Sequence, residues 1–89
     1  MSKNTLTQAD IDKILSESRV EVLKLEPKTT LVKVTLPNGF ELIETSSCVD
    51  PANYNHDMGK QICMKRIEDK IWYLEGYVLQ SKVAGELVN

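Results

Sequence analysis

Pro37-Asn38-Gly39 constrains this chain more than any other short stretch. Asparagine and glycine both tolerate positive φ, so Asn-Gly between two β-rich runs is the strongest local signal for a hairpin. The flanking runs are TTLVKVTL, residues 29–36, and FELIET, residues 40–45, both rich in β-branched or aromatic residues. Two antiparallel strands therefore meet here. A third strand precedes them: RVEVLKL, from Arg19, alternates with period two until Glu26-Pro27-Lys28 breaks the pattern. The reading is a three-stranded antiparallel meander with Val32, Val34 and Leu36 in one core-facing row. Such a sheet needs a cover on its apolar face.

Two helical segments can supply it. Thr7 is a good N-cap, Asp10 stands at the third helical position, and Leu6 can staple to Ile11. Ile11, Ile14 and Leu15 then form one apolar stripe on a short helix ending near Ser18, with the size of a lid rather than a core. At the other end, Asp50-Pro51 suits a short helical turn, and Asn53 or Asn55 can cap a longer helix running to about Gln80. Ile62 or Cys63, then Ile67, Ile71, Leu74 and Val78, make a stripe about 35 Å long at helical rise. The fold class is α+β: short N-terminal helix, three-stranded antiparallel meander, long C-terminal helix packed on the sheet. All 89 residues form a single domain, with residues 83–89 expected to fray.

Trp72, Tyr73 and Tyr77 fall partly outside the stripe, more aromatic surface than one small sheet covers, and they are expected at a subunit interface. A domain this small buries only a little over about 60% of its unfolded surface, so a homo-oligomer is the natural supplement to its stability. Gly76 is costly inside a helix and implies either a bend or a close neighbour.

Net charge is −2. An acidic chain lacks the clustered basic surface that phosphate neutralisation demands, so duplex DNA is not expected as a partner. No apolar run reaches the roughly 20 residues of a membrane span, and Met1 to Thr7 does not read as a signal peptide. A cytoplasmic location follows, with both cysteines as free thiols.

The window SSCVDPANYNHDMGKQICMKR, residues 46–66, holds both cysteines and the single histidine. Cys48, His56 and Cys63, with Asp50 and Asp57, are zinc-type ligands, but paired Cys-x-x-Cys knuckles are lacking and Cys63 lies on the sheet-facing stripe as a small core residue. A Cys48–His56 nucleophile would need an orienting third group that the spacing does not fix. No metal, cofactor or catalytic residue is therefore expected. The remaining possibility is a polar pocket: Ser46, Ser47 and Asn53 with Lys60, Lys65 and Arg66 holding phosphates, and Tyr54 as a stacking surface. Against it, Lys65, Arg66 and Lys70 among Glu68, Asp69 and Glu75 also read as a solvated helix face with i,i+4 pairs.

The stretch from Lys28 to Ser81 resembles the gene-49/gene-66 family of small bacteriophage proteins, known from N4-like and Sf6-like phages. Its most specific pieces are Asn38-Gly39-Phe40, Ser47-Cys48-Val49-Asp50-Pro51, Gly59 and Ile71-Trp72-Tyr73-Leu74-Glu75-Gly76-Tyr77. The resemblance implies a phage origin and expression in the bacterial cytoplasm, and carries over no catalytic residues. Small phage proteins of similar architecture include immune-evasion proteins that sequester nucleotide second messengers. By that analogy the expected function is non-catalytic binding of a small anionic, nucleotide-derived defence signal at a subunit junction. The alternative is an adaptor that inhibits a host factor through the aromatic flank of the long helix.

Overall fold

The structure, a computed structural model, describes the backbone of residues 4–88 and the side chains of residues 4–85. Residues 1–3, residue 89 and the side chains of residues 86–88, which include parts of the leading segment and of the tail expected to fray, lie outside the described residues. In chain order the elements are α1 (Gln8–Ser16), β1 (Arg19–Leu25), β2 (Thr29–Thr35), β3 (Glu41–Ser47), a single 3-10 turn (Pro51–Asn53) and α2 (His56–Val88). This is the α+β arrangement read from the sequence.

Local chemistry starts each element. The Thr7 hydroxyl accepts the Asp10 N–H at 3.3 Å while the Asp10 carboxylate accepts the Thr7 N–H at 2.8 Å, a reciprocal capping box. α1 stops at Ser16, two residues before the expected end, and the Glu17 and Ser18 amides close onto the carbonyls of Lys13, Ile14 and Leu15. Ile11 is fully buried among sheet and α2 residues, so α1 contributes to the core as well as covering it. In the β2–β3 hairpin, Leu36 donates to the Phe40 carbonyl and Gly39 to the Leu36 carbonyl, both at 2.8 Å. Gly39 takes φ +93°, where only glycine is unstrained. The β1–β2 turn contains a cis Glu26–Pro27 peptide.

β2 is the central strand of the sheet β1-β2-β3, both pairings antiparallel. Its even-numbered residues Thr30, Val32 and Val34 are fully buried, and Leu36 and Leu42 nearly so. Onto this face α2 lays Cys63, Ile67 and Ile71, each with no exposed surface. The helix comes closest at Gly59: a Cβ built there would stand 2.9 Å from the Thr30 Cβ and closer still to its hydroxyl. Gly59 and Cys63, one turn apart, are the small residues that permit this approach.

α2 outruns its support. At 33 residues it is about 50 Å long, against about 23 Å for a seven-residue strand, and the molecule measures 58 × 20 × 18 Å. The helix passes the expected end at Gln80 and continues to Val88. The apolar stripe leaves the sheet after Ile71, so Leu74 and Val78, expected on it, are 38% and 41% exposed. Trp72 turns toward the core and packs against it, whereas Tyr73 and Tyr77 stand out at 79% and 75% exposure. Gly76 is crossed without interruption of the helix, and a Cβ built on it would meet nothing within 4 Å.

Candidate functional site

The chain turns from β3 into α2 through two asparagine and aspartate caps. The Asp50 carboxylate accepts the Ala52 N–H at 3.0 Å and starts the 3-10 turn. The Asn55 side-chain oxygen accepts the Met58 N–H at 3.0 Å and caps α2, resolving the choice between Asn53 and Asn55. Between the two caps, Tyr54 is folded back onto the sheet. Its hydroxyl shares hydrogen bonds with the Thr30 hydroxyl at 2.6 Å and with His56 Nδ1 at 2.9 Å, and Lys24 Nζ lies 4.9 Å from its ring centroid. Thr30 stands between Lys24 and Ser46 in the strand register, so one row across the sheet carries an ammonium and two hydroxyls to the start of α2.

Beside the Ser46 end of this row lies a small cavity of about 110 Å³, lined by Ser46, Ser47, Asn53 and Tyr54 together with Cys48 and Asn55, and closed on the α2 side by Met58, Gly59 and Ile62. Four of the residues expected in an anion pocket are thus brought together. The three basic ones are not among its lining. Lys60 is exposed on the first turns of α2. Lys65 pairs with Asp69 at 2.7 Å, and that hydrogen bond and charge raise its pKa above the ordinary lysine value. Arg66 Nη1 donates to the Thr45 carbonyl at 2.9 Å. The reason is helical rotation: Gly59 and Cys63 face the sheet, which turns Lys60 and Lys65 outward and sends Arg66 to the β3 edge. Two cations that sequence spacing did not flag make contacts at the corner: Lys24, over the Tyr54 ring, and Lys28, whose Nζ donates to the Val49 carbonyl at 2.8 Å. Only the strand register reveals them.

Cys48, Cys63 and His56 are separately engaged. The Cys48 thiol donates to the Asp50 carbonyl at 3.2 Å, the Cys63 thiol to the Thr30 carbonyl at 3.8 Å, and His56 bonds Tyr54. Both cysteines are free thiols. Burial pushes the Cys63 pKa up, with the nearby Arg66 charge acting against it and Glu44 in the same direction. Among the described residues no group of three or more His, Cys, Asp or Glu side chains converges as metal ligands. No helix among them is long and apolar enough to cross a membrane.

A second, larger hollow of about 350 Å³ opens where α2 passes the β2–β3 hairpin. Phe40, Leu42, Tyr73 and Leu74 make its apolar walls, and Asp69 and Lys70 stand at its rim, where Lys70 pairs with Glu44.

The fold and its corner define a class: a small α+β protein with a three-stranded meander under one long helix that overhangs it. Within that class the chain belongs to the phage protein (N4 Gp49/phage Sf6 gene 66) family, whose model matches residues 6–83. The match is wider than the Lys28–Ser81 stretch and takes in α1 and β1. No curated protein and no solved structure matches the chain.

Proposed function

We propose that this phage protein is a non-catalytic accessory factor of the host bacterial cytoplasm that binds a small anionic ligand, a nucleotide-derived defence signal, as a homo-oligomer. The observation that carries the reading is the corner cavity, where Ser46, Ser47 and Asn53 offer polar groups beside the Tyr54 ring at the start of α2. A helix N-terminus favours negative charge, and Lys24 and Lys28 add cations on the sheet side, Lys24 being also paired with Glu26 at 3.4 Å. At about 110 Å³ the cavity takes a phosphoryl- or ribosyl-sized group, below the 300 Å³ or more of a whole small-molecule site. The remainder of the ligand lies against a second subunit.

The test is incubation with a panel of cyclic nucleotides and ADP-ribose derivatives, followed by thermal shift and by recovery of ligand after denaturation. A stabilising ligand whose effect disappears in Lys24→Ala and Asn53→Ala supports the reading. No shift and no recovered ligand across the panel overturns it.

The apolar hollow beside Tyr73 favours a second reading, an adaptor that binds a host factor through the exposed side of α2. The discriminating observation is the fate of Tyr73 and Tyr77 in the assembled protein. If both are covered within one homo-oligomer, the adaptor reading loses its surface.

A further inference from the structure

The two edges of the sheet are guarded unequally. Backbone hydrogen bonds from Leu36 to Phe40 and from Cys48 to Lys28 fix which residues of β2 bond toward β3, namely the even-numbered ones. By the alternation of an antiparallel ladder, the odd-numbered residues of β2 bond toward β1. The groups directed away from the sheet are therefore those of Glu41, Ile43, Thr45 and Ser47 on β3, and those of Val20, Val22 and Lys24 on β1. On the β3 edge Arg66 caps the Thr45 carbonyl, and Lys70, also from α2, pairs with Glu44 on the same strand. α2 packs over β2 and β3 and supplies these guards.

Among the described residues β1 has no such guard from α2. None of its residues is buried, and Val20, Leu23 and Leu25 are exposed, on both faces of the strand. An edge strand with apolar residues on both faces and free backbone groups is a template for pairing. We infer that β1 pairs antiparallel with β1 of a second copy, centred on Val22, joining two sheets into one of six strands.

The sequence of β1 is self-complementary in that register. Val22 faces Val22 of the second copy, and Val20 faces its Lys24, so the outward groups of all three residues are used in about six hydrogen bonds. On the other face Glu21 lies opposite the partner's Leu23, and Arg19 opposite the partner's Leu25. No like charges stand directly opposite, whereas centring on Glu21 would set two carboxylates against each other. The arrangement is isologous and closes as a two-fold dimer. It does not depend on the ligand reading, and it uses a surface other than the α2 flank.

The test is sedimentation of the full chain over a concentration series. Val22→Pro removes an N–H that bonds nothing within the sheet, a position where an edge strand tolerates proline. Leu23→Glu sets carboxylates opposite the partner's Glu21 from an exposed site. The wild-type chain is expected to associate, and both variants to lower its average mass while keeping the far-ultraviolet circular dichroism of the parent. Should Val22→Pro fail to fold, Leu23→Glu decides. A wild-type chain that stays monomeric throughout, or association that Leu23→Glu leaves unchanged, overturns the inference.

Discussion

Replacing Gly59 by alanine tests the closest approach in the molecule. In an isolated helix the change would stabilise by about 1 kcal/mol, because alanine loses less backbone entropy than glycine. Here the new methyl meets Thr30, whose Cβ would be only 2.9 Å away and whose hydroxyl is nearer. Thr30 is fully buried on the central strand and cannot retreat into solvent. Forcing a methyl into a packed site costs about 1–3 kcal/mol. Rotating the Thr30 hydroxyl aside also breaks its 2.6 Å bond to Tyr54 and strands a buried polar group, a further penalty of about 1–3 kcal/mol. Subtracting the propensity gain leaves a net destabilisation of about 3 kcal/mol, a large share of what a domain this size holds. Urea unfolding should show it as a lower midpoint with unchanged slope. Thr30→Ala removes the hydroxyl, so the double variant should lose less than the sum of the single changes. A Gly59→Ala chain as stable as the parent, or more stable, would refute the packing argument.

Gly76→Ala should do the opposite and stabilise the isolated chain by about 1 kcal/mol in urea unfolding, since nothing stands within 4 Å of the added methyl. Tyr54→Phe should cost about 1–2 kcal/mol by the same assay, because it leaves the buried Thr30 hydroxyl without its tyrosine partner. A thiol reagent should label Cys48 in the folded protein and reach buried Cys63 only on unfolding, as peptide mapping would reveal. The raised Cys63 pKa means that above the ordinary thiol range the unfolded chain binds fewer protons than the folded one, so stability from this group is present below that range and lost as pH rises through it. The difference in unfolding free energy between wild type and Cys63→Ala should accordingly shrink with rising alkaline pH.

The elements and their starting points were legible because they rest on local chemistry. Thr7 with Asp10, Asn38 with Gly39, and Asp50 with Pro51 each act within four residues, and each starts or turns its element as expected. The exception is that only Gly39 takes positive φ, while Asn38 serves the turn through its side-chain oxygen, which accepts the Phe40 N–H at 2.9 Å. Alternation likewise identified Val32, Val34 and Leu36 as the core row. The period of α2 correctly picked out Cys63, Ile67 and Ile71, but periodicity contains no information about where the sheet beneath ends, so Leu74 and Val78 were placed on a surface that does not reach them. Half of the candidate site was readable for a similar reason. Ser46, Ser47, Asn53 and Tyr54 share one corner because they adjoin one turn. Lys65 and Arg66 were assigned by proximity in sequence, yet their partners are set by rotation about the helix: one finds Asp69 a turn away, the other a carbonyl 21 residues back. The Lys24–Tyr54–Thr30 arrangement spans three separate segments and depends on register, which no single stretch encodes.

The overhang of α2 divides one continuous helix into two thermodynamic regimes. From Gly59 to Trp72 its amides open only when the sheet contact is lost, so their hydrogen exchange should report global unfolding. From Glu75 to Gly85, past the hollow that Tyr73 and Leu74 share with the hairpin, the same backbone is held chiefly by helical hydrogen bonds, and Gly76 and Gly85 weaken them. In the separated chain, exchange should therefore quicken along α2 with no break in helicity to announce the change. Any subunit or ligand that engages the overhang would write its footprint there as slowed exchange, residue by residue.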